Sequence, residues 1–261
     1  MDKDNKNNTA PLSFSGTEAE NLLRNVLRYF EKAGLDPYVT AEWKKGIFKL
    51  FGVETINLPD LDGQSYILSS NHISDFDAVI LGLLHPNIRI IAKMGWASNK
   101  KLMDFLGLHY DIVGIYRDFE IEKLDGVAKE AAKKHNYRVT IEALKYLKDD
   151  EEPRHLLIFP QGTISDVNRN SKERVNPGFA KIAFAAKGKV VNIFTEYPDM
   201  GGGGSTRVVC GEPYEVKERN FDYRQPWLEG VISLQNKLDN VREPILSDRH
   251  LNNNKPGDPF F

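Results

Sequence analysis

The sequence predicts an α/β fold, with a mixed, largely parallel sheet covered by helices on both faces and a two-helix hairpin in front of it. Three observations carry this. Short β-branched runs alternate with helix-length amphipathic segments from Ser65 onward. Ahead of the first strand, apolar residues recur at helical spacing over Thr17–Ala33 and a second helical segment runs over Val39–Phe51. The 261 residues, 41% hydrophobic and 28% charged, suffice for one large core.

Residues 1–16 are polar, with no apolar run, and read as a disordered lead-in without a secretory signal. Residues 17–52 form the expected hairpin. Leu22, Leu23, Val26, Leu27 and Phe30 recur at helical spacing between Thr17 and Ala33, and Gly34 is a suitable stop. A second helix runs from Val39 to Phe51. Residues 53–261 form the main domain.

In that domain Ser65–Ser70 reads as a strand, Phe76–Leu84 as a helix and Ile88–Ala92 as a strand. A short helix over Asn99–Leu106, a strand at Asp111–Tyr116 and a helix at Tyr137–Lys148 follow. Next come a strand at Arg154–Phe159, a helix at Gly178–Lys187 and a strand at Lys189–Phe194. Arg207–Cys210 and Pro213–Val216 have β character, and Gln225–Val241 is a closing helix. The run Gly201–Ser205 is a flexible loop by composition.

Composition excludes some functions. A formal net charge of -2 gives no bulk attraction to nucleic acid. No apolar stretch approaches the roughly 18 residues that a membrane span needs. The single cysteine, Cys210, leaves no internal disulfide and suits a reducing compartment. The expected location is cytoplasmic, peripheral on the inner face of a membrane.

The densest chemistry lies in Ser69-Ser70-Asn71-His72-Ile73-Ser74-Asp75-Phe76-Asp77. A strand delivers His72 to a loop and a helix starts at once, with Ser74 or Asp75 as N-cap. Ligands bind at such strand ends in open α/β sheets. Asp77 can take a hydrogen bond from one imidazole nitrogen and leave the other to accept a proton from a hydroxyl. The plain alternative is a helix-start aspartate beside an ordinary loop histidine. A metal site from His72, Asp75 and Asp77 is a third reading, with no other His or Cys cluster beside it.

Further blocks follow in order. Val113-Gly114-Ile115-Tyr116-Arg117 ends one strand, and Ile158-Phe159-Pro160-Gln161-Gly162-Thr163 leaves another. Asn176-Pro177-Gly178-Phe179-Ala180-Lys181 opens a helix. In this order and spacing the set resembles the four sequence blocks of the glycerolipid acyltransferase family, whose best-known members acylate 1-acylglycerol-3-phosphate. The resemblance runs from about Tyr66 to Pro213 and includes Cys210-Gly211-Glu212-Pro213 at its end.

The resemblance implies His72 as general base, Asp77 as its orienting acid and Arg117 as ligand of the acceptor's phosphate. An arginine fork suits two phosphate oxygens. The alternative for Arg117 is a surface salt bridge with Asp118 or Glu120. Gln161, Gly162, Thr163 and Gly178 fall on the family's substrate-binding blocks. Both glycines read either as turn residues or as donors of backbone N–H to the reacting carbonyl oxygen. The chain departs from the pattern Phe-Pro-Glu-Gly-Thr-Arg-Ser at Gln161 and Ile164, and Pro177 replaces a lysine of the fourth block. These changes bear on the acceptor more than on the reaction.

The implied co-substrate is an acyl thioester, acyl-CoA or acyl carrier protein, with a lipid acceptor and no separate cofactor. Two segments could meet an anionic membrane or an acidic carrier. Trp43–Phe51 interleaves aromatics with Lys44, Lys45 and Lys49, as an interfacial helix does, although a helix packed on the domain shows the same pattern. Arg89, Lys93, Lys100 and Lys101 form a basic run around Met94 and Trp96. Two rival functions remain. A non-catalytic lipid-binding relative would account for the altered third block, and a serine hydrolase lacks its Gly-x-Ser-x-Gly elbow.

Overall fold

Tyr66–Ser70 is buried at every position, which sets it as a central strand. In the computed structural model it lies inside a sheet that has eight strands among the described residues. The structure describes residues 52–74, 76–97, 111–149, 151–162, 175–197, 206–219 and 221–252. The lead-in, the expected hairpin up to residue 51, the Asn99–Leu106 helix, Thr163 and the glycine run 201–205 lie outside these.

The strands are β1 (Glu54–Ile56), β2 (Tyr66–Ser70), β3 (Ile88–Lys93), β4 (Asp111–Ile115), β5 (His155–Ile158), β6 (Lys189–Glu196), β7 (Arg207–Cys210) and β8 (Tyr214–Glu215). Their order is β1-β7-β6-β2-β5-β3-β4, with β8 also on β6. From β6 to β4 every pairing is parallel, while β7 and β8 run antiparallel to β6. Helices α1 (Phe76–Gly82), α2 (Met94–Ala97), α3 (Asp118–Glu122), α4 (Gly126–Leu147), α5 (Gly178–Ala186) and α6 (Arg224–Asn252) connect and cover them.

Strand alternation divides the core in two. Leu68, Ile90, Leu157 and Ile193 point to one face and meet Ile80 and Leu81 of α1. Ile67, Ile91, Leu156 and Val190 point to the other and meet α4, α5 and α6. Trp227 of α6 is fully buried there, its ring centroid 6.5 Å from that of Phe179. Gly230 eases this packing, because a Cβ on it would overlap Asn192 Nδ2 of β6. A helical glycine costs roughly 1 kcal/mol of propensity, and here it leaves room for the Asn192 side chain between α6 and the sheet.

Several elements exceed their expected bounds. The helix placed at Tyr137–Lys148 begins at Gly126, since exposed Glu130 and Lys133, paired at 2.8 Å, support a helix without an apolar stripe. The short α2 and α3 and the three-residue β1 carry too little periodicity to be read from sequence. The basic run is also divided. Arg89 is the second residue of β3, bonded to Asp111 at 2.7 Å and stacked 4.1 Å from the Tyr146 ring, whereas Lys93 ends the same strand.

At the N-terminal edge of the sheet, buried His155 accepts the N–H of Tyr66 at Nδ1 (3.2 Å) and meets the Leu61 carbonyl through Nε2 (3.1 Å). Burial, with His85 4.7 Å away, lowers its pKa to about 4 from 6.5. The unfolded chain takes up this proton below pH 6.5 and the folded chain does not, so stability falls from there towards pH 4. At pH 5 the loss from this residue is about 2 kcal/mol. NMR titration should find a neutral His155 ring down to near pH 4; titration near 6.5 would contradict this.

Candidate active site

β2 and β5 are parallel neighbours, yet α1 after β2 and α5 after β5 go to opposite faces of the sheet. Such a reversal leaves a crevice at the C-terminal ends of the two strands. The β2–β5 register, Ser69 opposite Ile158, continued three residues brings His72 opposite Gln161. The Gln161 side-chain oxygen accepts the backbone N–H of His72.

Asn71 holds the other side. Its side-chain oxygen accepts Thr195 N–H at 2.7 Å and its amide donates to Thr195 O at 3.1 Å. A buried side chain thus continues the β2–β6 ladder past the last strand residue, fixing the loop that carries His72.

His72 Nδ1 lies 3.0 Å from Asp77 Oδ2. The same oxygen accepts the N–H groups of Ile73 (2.7 Å) and Ser74 (2.9 Å), and Tyr197 O–H donates to Oδ1 at 2.8 Å. Asp77 is fully buried, and these bonds compensate its lost hydration. A carboxylate acceptor at Nδ1 requires the proton there, which makes Nε2 the lone-pair nitrogen. Among the described residues none hydrogen-bonds Nε2. The His72 ring stacks on Phe159 at 4.4 Å and keeps 17% of its side chain exposed. The dyad can therefore remove a proton from a group entering the crevice.

Tyr197 was not foreseen. It stands just beyond β6, and only the β2–β6 pairing brings it to Asp77. Burial and the Asp77 charge hold its phenol well above the ordinary range, so it remains a donor. Tyr197→Phe should leave Oδ1 without that donor and lower kcat about tenfold, equivalent to ~1.4 kcal/mol, with both KM values unchanged. Steady-state kinetics checks this. A wild-type kcat would remove Tyr197 from the positioning of Asp77.

Arg117 precedes α3 and reaches the same crevice. Its Nη1 donates to Gly162 O at 3.1 Å, and Nη2 bonds Glu120. The salt bridge with Glu120 that the sequence offered as an alternative is thus present. Gly162 has φ +65, the left-handed region that favours glycine, and its N–H donates to Phe159 O at 2.9 Å. Gly178 N–H donates to Asn176 Oδ1 at 2.8 Å, and Asn176 N–H to Pro160 O at 2.7 Å. Both glycine N–H groups are therefore paired within the chain, and Gly178 is tied to the third block through Asn176. The structure joins His72, Asp77, Gln161, Gly162 and Arg117 in one continuous set of contacts.

The sequence profile described as Acyltransferase matches residues 51–196, and the chain belongs to that family. No curated protein sequence matches it. Among solved structures it is similar to the 1-acyl-sn-glycerophosphate acyltransferase PlsC of Thermotoga maritima. That likeness covers 86% of this chain and 84% of that one, at 17% identity and a TM-score of 0.48. The family assignment rests on the sequence match.

Proposed function

We propose that this chain is an O-acyltransferase that moves a fatty acyl group from an acyl thioester to a hydroxyl of 1-acylglycerol-3-phosphate or a related lipid precursor. The His72–Asp77 hydrogen bond, placed where β2 and β5 part their helices, is the observation that supports it most. His72 Nε2 takes the proton of the acceptor hydroxyl as its oxygen bonds to the thioester carbonyl carbon. The carbonyl electron pair returns, the C–S bond breaks, and the thiolate leaves with the proton from His72. Asp77, held by Tyr197 and two backbone N–H groups, keeps the ring aligned and stabilises the imidazolium. The thioester is already activated, so no acyl-enzyme is required.

Arg117 binds the acceptor's phosphate, and Gln161, Gly162, Thr163 and Gly178 belong to the blocks that line the substrates. Gln161 fills the family's glutamate position. Its oxygen performs the acceptor's role towards the His72 N–H without adding a second carboxylate beside the ring. Acyl-CoA or acyl carrier protein is the donor. Release of free thiol from acyl-CoA, with and without 1-acylglycerol-3-phosphate, tests the reading: acceptor-dependent release supports transfer. Release without acceptor would indicate hydrolysis, and none at all a binding protein.

The acceptor is met at an anionic membrane surface. Among the described residues no helix is long and apolar enough to cross a membrane. The sequence of Trp43–Phe51, which interleaves aromatics with Lys44, Lys45 and Lys49, supports that segment as the contact. Replacing Lys44, Lys45 and Lys49 by Gln should weaken binding to anionic vesicles by about 1 kcal/mol per charge and remove most of its salt dependence. Cosedimentation measures this. Unchanged binding would place the contact elsewhere.

A further inference from the structure

The guanidinium assigned to the acceptor's phosphate already carries a carboxylate. Glu120 Oε1 accepts from Arg117 Nη2, and Oε2 accepts the Arg117 backbone N–H at 2.9 Å. One oxygen caps the short helix α3 while the other holds the side chain. The Phe119 ring supports the guanidinium, with Cζ 4.3 Å from its centroid, and Nη1 is on the Gly162 carbonyl. Among the described residues buried Nε has no hydrogen-bond partner. The Arg117 hydrogen bonds hold the Glu120 carboxyl below the usual carboxylate range, with Lys93 a further positive neighbour.

The charges of this sequence fit that arrangement. The third block carries neutral Gln161 and Ile164 where the resembled pattern has glutamate and arginine. A carboxylate is instead supplied from the arginine's own helix, three residues on. A phosphate monoester, with between one and two negative charges, therefore approaches an arginine that is already compensated.

We infer that Glu120 sets the acceptor charge this site accepts: it is an internal counter-ion on Arg117 with which the acceptor's phosphate competes for Nη2. This rests on the acceptor reading above. A phosphorylated acceptor must turn Oε1 away and then lie beside it. An uncharged acceptor leaves the pair intact. Glu120 thereby narrows the preference that Arg117 alone would give, and it does so without touching the dyad.

Glu120→Gln separates the two tasks, because the amide oxygen still caps the Arg117 N–H while the charge is gone. Binding of 1-acylglycerol-3-phosphate and of uncharged 1-acylglycerol would be measured on the full chain without thioester. Wild type, E120Q and D118N would be compared. E120Q should bind the phosphorylated lipid about tenfold more tightly and the uncharged lipid as wild type does. D118N removes the same charge from the same helix and should change neither. In an R117A background the gain from E120Q should shrink to the relief of direct repulsion between the carboxylate and the phosphate, and an undiminished gain would overturn the competition for Nη2. No gain in E120Q, or an equal gain in D118N, overturns the proposal. Thiol release is assayed in parallel, so that absence of turnover would count against acyl transfer while the binding comparison still judges Glu120.

Discussion

Replacing His72 by Ala is expected to lower acyl transfer at least about 10²-fold in a protein that stays folded. That is the loss of a general base. The ring is partly exposed and rests on Phe159, so its removal leaves no unsatisfied buried charge except through Asp77. Asp77 itself retains the N–H groups of Ile73 and Ser74 and the Tyr197 hydroxyl. Unfolding midpoints and steady-state rates, measured together, separate chemistry from folding. Asp77→Asn should also cripple kcat. The amide oxygen can still accept the two backbone N–H groups, but it no longer stabilises an imidazolium. Near-normal turnover in folded His72→Ala would sink the dyad mechanism.

The sequence revealed the frame of this site because parallel strands announce themselves. Within four of them the apolar pairs Ile67–Leu68, Ile90–Ile91, Leu156–Leu157 and Val190–Val191 are buried on both faces of the sheet. The loops that follow them carry His72 and Gln161. Two further features were not legible. Strand order depends on contacts between segments far apart in the chain, so the return of β5 to the side of β2 could not be read from either strand alone. That return turns His72 and Gln161 into neighbours, 89 residues apart in sequence.

The supports of the dyad were hidden for the same reason. Asn71 stood inside the quoted motif, yet its role needs β6 beside it: a side-chain amide substitutes for two backbone groups of a strand that has ended. Tyr197 lies 120 residues from Asp77, and no local pattern links them. The glycines illustrate the opposite case. Their presence in the blocks admitted a turn role or a donor role, and in the structure Gly162 has a positive φ while the N–H groups of Gly162 and Gly178 are both paired within the chain.

Arg117→Ala is expected to raise the acceptor's KM by the equivalent of ~2–3 kcal/mol, the range for hydrogen bonds to a charged group. The donor's KM should barely move, since Arg117 faces the other substrate in this reading. The structure adds a term to that number. Removing the guanidinium strands Glu120, whose carboxylate then opposes a phosphate with nothing between them. The single variant therefore overstates the arginine's own contribution, and R117A/E120Q isolates it: the double variant should bind the phosphorylated acceptor better than R117A but worse than E120Q. Arg117→Lys keeps the charge and loses the fork, and should fall between wild type and R117A. Initial rates with 1-acylglycerol-3-phosphate and with the same lipid lacking its phosphate provide the test. If Arg117 is the phosphate ligand, the phosphorylated acceptor wins in the wild type and R117A loses most of that preference. If the wild type already prefers the uncharged lipid, the phosphate reading is wrong. The Arg117–Glu120 pair and Ile164 then belong to a site built for an uncharged group, with the salt bridge serving to hold the Gly162 turn in place.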